Sequence, residues 1–163
     1  MNWAHVHLIL NHVPVLGSVF CLLLVAVGWA MADLNVKRVA LAMTLLTGLA
    51  ALPVYFTGEP AEHVVEGLPG VNERAIHEHE EFSTYALVAA LVTGAAAGVA
   101  LAFTWRDRDG RVPRWASPAI LALLLVTTGL MGWTAYLGGR IHHPETEFSF
   151  APASDGRDAG PVV

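Results

Sequence analysis

Four stretches of this sequence, residues 8–31, 39–57, 82–105 and 116–137, are apolar for nearly the length of a membrane crossing. A helix needs about 20 mostly apolar residues to cross about 30 Å of hydrocarbon, where each backbone N–H and C=O must find its partner inside the protein. The runs therefore predict four transmembrane helices. With 55% hydrophobic and 14% charged residues, the chain lies far from soluble domains, in which about a quarter of residues are charged. The alternative of a soluble bundle requires a polar stripe along each helix, and the middles of these runs carry none. The expected fold is all-α: a four-transmembrane-helix bundle over residues 1–144, with helices near 8–31, 37–57, 73–105 and 116–139. Residues 145–163 are expected to form an extended tail outside the membrane.

Cations set the expected orientation. Lys37 and Arg38 flank the first connection, and Arg106, Arg108, Arg111 and Arg114 crowd the third, so those two loops face the cytoplasm and both termini face outward. The outer segments carry Arg74, Arg140 and Arg157 against Glu59, Glu62, Glu66, Glu73, Glu78, Glu80 and Glu81. The formal charge of -5 is thus an outer-face property, and it excludes nucleic acid as a partner. Trp29, Trp105 and Trp115 fall at the inner boundary; Trp3, Tyr55, Tyr85, Trp133 and Tyr136 fall near the outer one, as interfacial aromatics do. The start has no basic leader, and its apolar run continues past a typical signal core, so the first helix is expected to stay.

The short connections "MADLNVKR" and "RDRDGRVPR" make the first and second spans, and the third and fourth, antiparallel neighbours. Ser117 and Pro118 read as N-cap and first-turn residues of the fourth span. In the longer middle connection, Pro60 can open a short helix that Gly67 and Pro69 close, and Asn72 can cap the third span, whose first turns then project beyond the apolar run. Gly94 and Gly98 form a G-x-x-x-G pattern, and Thr47, Gly48, Gly129 and Gly132 add small surfaces for close helix packing.

Eight histidines carry the candidate chemistry, and all fall on the outer side: His5, His7, His12, His63, His77, His79, His142 and His143. Cys21 is the only cysteine, which excludes an intrachain disulfide, a thiolate zinc site and covalent C-x-x-C-H haem attachment. His12 stands about 7.5 Å deeper than His7 along a helix, where an imidazole needs a partner. Pro14 leaves the Leu10 carbonyl without its helical donor, which offers His12 one such partner.

A b-type haem requires two neutral imidazoles from facing helices, with its propionates at the aqueous edge. Arg74 and Arg140 are the cations placed to meet those carboxylates, or else to pair with nearby glutamates. A rival non-haem iron, zinc or manganese site draws on "ERAIHEHEE", where Glu73, His77, Glu80 and Glu81 share a helical face, with His63 a further candidate.

The pieces "HLILNHVPVLG", "YFTGEPAE", "HEEFS" and "TAYLGGRIHHPE" resemble a family of four-helix bacterial integral membrane proteins, b-type cytochrome-like in their histidines, with H-L-x-L-N-H-x-P, HE and LGG-x-I-x-HPE motifs. The resemblance covers nearly all of residues 5–145. It implies ligand roles for His7, His12, His79 and His143, with Asn11, Pro14, Gly58, Glu59, Gly138, Gly139 and Glu145 as framework; His5, His63, His77 and His142 match no motif position. Depth favours His12 paired with His79, and His7 paired with His143. The expectation is a multi-pass protein of the bacterial inner membrane holding one or two haem b groups, with quinone a further candidate cofactor. It would pass electrons between the quinol pool and a periplasmic cytochrome or another subunit of a membrane redox complex. Too little chain lies outside the bilayer for a catalytic domain, so the role is electron transfer or anchoring. The alternatives are the non-haem metal site and a cofactor-free scaffold.

Overall fold

The computed structural model describes residues 2–142. His143, Glu145 and the expected tail lie outside the described residues. The described chain is helical, without strands: α1 (Trp3–Ala30), α2 (Leu34–Phe56), α3 (Gly58–Val65), α4 (Glu73–Arg106) and α5 (Ala116–Arg140). The stretches Trp3–Ala30, Leu34–Val65, Glu73–Arg106 and Ala116–Arg140 are long and apolar enough to cross a membrane. Large apolar side chains face outward along them, with Phe20 61% and Leu125 58% exposed. Such a surface is stable in lipid and not in water.

Caps explain where the helices begin. The side chain of Asp33 accepts from the Val36 N–H at 2.8 Å, and that of Asn72 from the Ala75 N–H at 3.2 Å, each satisfying one of the donors a helix start leaves open. Asn2 does the same for α1, accepting from the His5 N–H at 3.3 Å. α1 therefore starts five residues before its apolar run, and His5 and His7 are helical. α5 departs from expectation. Ser117 is buried inside the helix rather than capping it, because the Ala116 N–H already bonds to the Pro113 carbonyl at 3.0 Å and starts the turn earlier. α3 runs to Val65, just before Gly67, whose φ of +73° suits glycine. At 34 residues, α4 is about 51 Å long, so it extends well past a hydrocarbon core of about 30 Å.

Around the bundle the order is α1, α2, α4, α5, with α3 packed on α1; α1 and α4 therefore face each other across a diagonal. The core is built from small side chains such as Ala40, Ala51, Ala90, Ala97 and Ala100. α2 and α4 approach closest at Gly48 and Gly94, where a Cβ on Gly48 would stand 2.6 Å from the Ala90 carbonyl oxygen. The G-x-x-x-G pattern thus serves packing within the chain. Gly129 and Gly132 instead face open space. Three buried hydroxyls are satisfied locally: Thr44, Thr93 and Thr104 each donate to the carbonyl four residues back, at 2.7 to 2.8 Å. Thr93 also meets the Thr127 hydroxyl at 2.8 Å, joining α4 to α5.

Candidate functional site

The buried face of α1 runs through Pro14, Ser18 and Cys21. His7 precedes Pro14 by seven residues, two turns, and so shares that face. On α4, His79 stands four residues after buried Ala75 and seven before buried Ala86, again in phase with the core. These two histidines, from diagonally opposed helices, meet inside one end of the bundle, with ring centroids 6.3 Å apart and planes at 83°.

Each ring is tied to a different neighbouring helix. His7 Nδ1 lies 3.1 Å from the Val54 carbonyl oxygen and 3.0 Å from the Thr57 hydroxyl, which itself donates to the Val54 carbonyl at 2.8 Å. His79 Nδ1 lies 2.9 Å from the Thr134 carbonyl oxygen on α5. A carbonyl can only accept, so both Nδ1 atoms carry a proton, and in the neutral ring Nε2 then keeps the lone pair. This is the tautomer that a metal-ligating histidine takes when its far nitrogen donates to a backbone carbonyl.

Gly138 leaves room for one ring. A Cβ on it would stand 3.1 Å from His79 Cε1, tighter than an ordinary contact, whereas one on Gly58 would meet His7 Cε1 at an ordinary 3.8 Å. Two glycines of the sequence motifs therefore sit against the two central imidazoles.

The remaining candidates are placed elsewhere. His12 is exposed, and its Nδ1 turns back to the Leu8 carbonyl of its own helix at 2.6 Å, rather than to Leu10. About 140° of helical phase separates it from His7, so α1 presents His7 and not His12 to His79. His63 and His77 are exposed, each 3.8 Å from a glutamate, Glu66 and Glu80 respectively; His5 and His142 are exposed as well. Glu80 and Glu81 line a shallow, open groove of about 370 Å³ with Arg74, His77, Glu78 and Thr84. Arg74 and Arg140 both bond Glu78: Arg74 Nε donates to Oε1 at 3.1 Å and Arg140 Nη1 to Oε2 at 3.2 Å.

Among the described residues, no three His, Cys, Asp or Glu side chains gather to hold a metal ion. Structural zinc calls for four protein ligands and catalytic zinc for three, and carboxylate di-iron centres use still more. Haem supplies its own equatorial nitrogens and asks the protein for axial ligands alone. Two imidazoles are the number of ligands that such a group would ask of the protein, and His7 and His79 are the pair that would hold it.

Thr57, Thr134 and the Val54 carbonyl were not legible as site residues in the sequence. A usable signal did exist for His7: its seven-residue spacing to Pro14 and eleven-residue spacing to Ser18 place it on the small, polar face of α1. No family model, curated protein or solved structure matches the chain.

Proposed function

We propose that this chain is a membrane-anchored electron-transfer subunit that holds one haem b between His7 and His79. The single observation that carries the reading is the anchoring of both Nδ1 atoms to carbonyls of flanking helices, which points two neutral imidazoles from opposed helices at a shared task. Haem, when bound, supplies one-electron exchange between ferric and ferrous iron. The protein's part is to keep each imidazole oriented through Val54, Thr57 and Thr134, and to keep the His79 ring unobstructed through Gly138.

The cation-rich connections at the opposite end support a cytoplasmic location for that end. On that basis the imidazole pair belongs at the periplasmic side of a bacterial inner membrane, within reach of the quinol pool and of a periplasmic cytochrome or partner subunit. Pairing His7 with His79 narrows the expected one or two haem groups to one, since His7 is no longer available to His143.

The test is optical. Full-length protein purified in detergent and titrated with haemin should show a dithionite-reduced b-type spectrum at one haem per chain. His7→Ala and His79→Ala should abolish it, while His12→Ala should leave it intact. A colourless titration, or a spectrum insensitive to both central substitutions, refutes the proposal.

A further inference from the structure

The end of the bundle opposite the histidines holds more positive charge than its own acids answer. Arg38 donates to the Gly110 carbonyl at 2.6 Å, which brings the start of α2 beside the loop between α4 and α5. Lys37, Arg38, Arg106, Arg108, Arg111 and Arg114 therefore gather at one end. Three acids share it, and each is engaged: Asp33 caps α2, Asp107 accepts from N–H groups of its own loop, and Asp109 pairs with Arg111 at 2.9 Å. Lys37, Arg106, Arg108 and Arg114 have no acidic partner among the described residues.

Depth decides what these cations meet. α1 ends at Ala30 and α4 at Arg106, while α2 begins at Leu34 and α5 at Ala116, so in a bilayer all four crossings stop at this level and the loops stand among headgroups. Trp29, Trp105 and Trp115 are exposed at the same helix ends, and indoles favour that boundary. Lys37 is half-buried. A Cβ on Gly28 would stand 3.3 Å from its Cγ, and it lines a small crevice with Val25, Ala40, Leu41 and Ser117. Packing the stem on apolar surface leaves the ammonium as the part to be paired.

We propose that this end is a binding surface for anionic phospholipid headgroups, in which Lys37, Arg106, Arg108 and Arg114 meet phosphates and the three indoles pack where headgroup gives way to chain. It stands independently of the haem reading. Charge complementarity selects the occupant: an anionic headgroup brings a phosphate to cations that lack one, whereas a zwitterionic headgroup also brings a cation that they repel. Lipid phosphates already stand at the level of the helix ends, so no partner has to reach past the loops to find these side chains.

The test uses full-length protein carrying Trp3→Phe and Trp133→Phe, so that Trp29, Trp105 and Trp115, the tryptophans that remain, all report on the cation-rich end. Quenching by brominated phosphatidylglycerol and by brominated phosphatidylcholine is compared in phosphatidylcholine vesicles. Phosphatidylglycerol should bind about fivefold more tightly, the scale of one cation at an anionic surface. Raising salt from about 0.05 to 0.5 M should remove most of that excess. Lys37→Met and Arg114→Gln should each lower the preference, and combining them with Arg106→Gln and Arg108→Gln should abolish it. Helical circular dichroism should be retained, since none of the four charges has an acidic partner in the fold. Inorganic phosphate should displace no more lipid than chloride at the same ionic strength. Equal quenching by the two lipids, a preference unchanged in both single variants, or displacement specific to inorganic phosphate overturns the proposal.

Discussion

At the cation-rich end of the bundle, Arg38 donates to the Gly110 carbonyl at 2.6 Å, and Asp107 accepts from the N–H groups of Asp109 and Arg111 at 2.9 and 3.0 Å. Those contacts close the loop between α4 and α5 and fasten it to the start of α2. At the opposite end, His7 and His79 also donate to carbonyls, but each does so from a helix on the diagonal and each retains a nitrogen lone pair. Both ends satisfy backbone acceptors. They differ in what remains afterwards: the loop end spends these polar groups on holding a turn, whereas the histidine end leaves one ring nitrogen of each imidazole outside those hydrogen bonds. Burial and hydrogen bonding alone do not mark a site; unused donor or acceptor capacity held in place does.

Breaking the histidine end should show most strongly in ligand binding. His7→Ala or His79→Ala is expected to eliminate haem absorbance with the helical circular dichroism retained, and His77→Ala, on an exposed turn, should leave the spectrum unchanged. Persistence of full absorbance in either central variant would erase the distinction between the ends. Gly138→Val comes next. Its branches would meet the His79 ring, which the Thr134 carbonyl holds in place, at an overpacking cost of about 1–3 kcal/mol. Haemin affinity should fall severalfold or more, while Gly132→Val, facing open space, should bind normally in the same titration.

The cation-rich end should respond in stability and not in haem binding. Arg38→Ala removes a hydrogen bond from a charged donor, worth about 1.5–3 kcal/mol, so thermal unfolding in detergent should shift down with haem stoichiometry unchanged. A shift in the haem spectrum instead would mean that the two ends are coupled. The smallest effect concerns Asp107. The N–H of Arg111 above all, joined by the Asp109 N–H, the Arg111 charge and the Gly110 N–H, holds its carboxyl below the usual carboxylate range against an opposing cost of desolvation. A carboxyl whose folded value is depressed stabilises the fold above its unfolded value of 3.8 and loses that contribution as pH falls through the lower folded value. Asp107→Asn should therefore flatten a slight acid-side loss of stability in unfolding curves recorded below pH of about 4.

Much of the fold was legible because its rules are local. Each apolar run had to be a helix in lipid, and Asn72 and the Gly67 turn mark boundaries through residues a few positions away; the Asp33 cap, which starts α2 at Leu34, lies ahead of the apolar run and was not read. The start of α1 was less legible, since lipid contact and helix extent are different quantities and the Asn2 cap lies outside the apolar run. Ser117 misled for a related reason: its side chain suits a cap, but the turn through Pro113 had already begun the helix. For the site, depth favoured His12, yet depth does not say which way a ring faces.

What the sequence determined by itself is the set of crossing helices and the end of the bundle at which the histidines gather, because hydrocarbon thickness and backbone hydrogen bonding act segment by segment. Tertiary structure decided which imidazoles meet. That choice depends on α1 and α4 standing across a diagonal, with α2 and α4 drawn together at Gly48 and Gly94, and on the Val54 and Thr134 carbonyls arriving beside His7 and His79. Contacts between residues 47 and 55 positions apart are set by packing among all four long helices and leave no local mark in the chain.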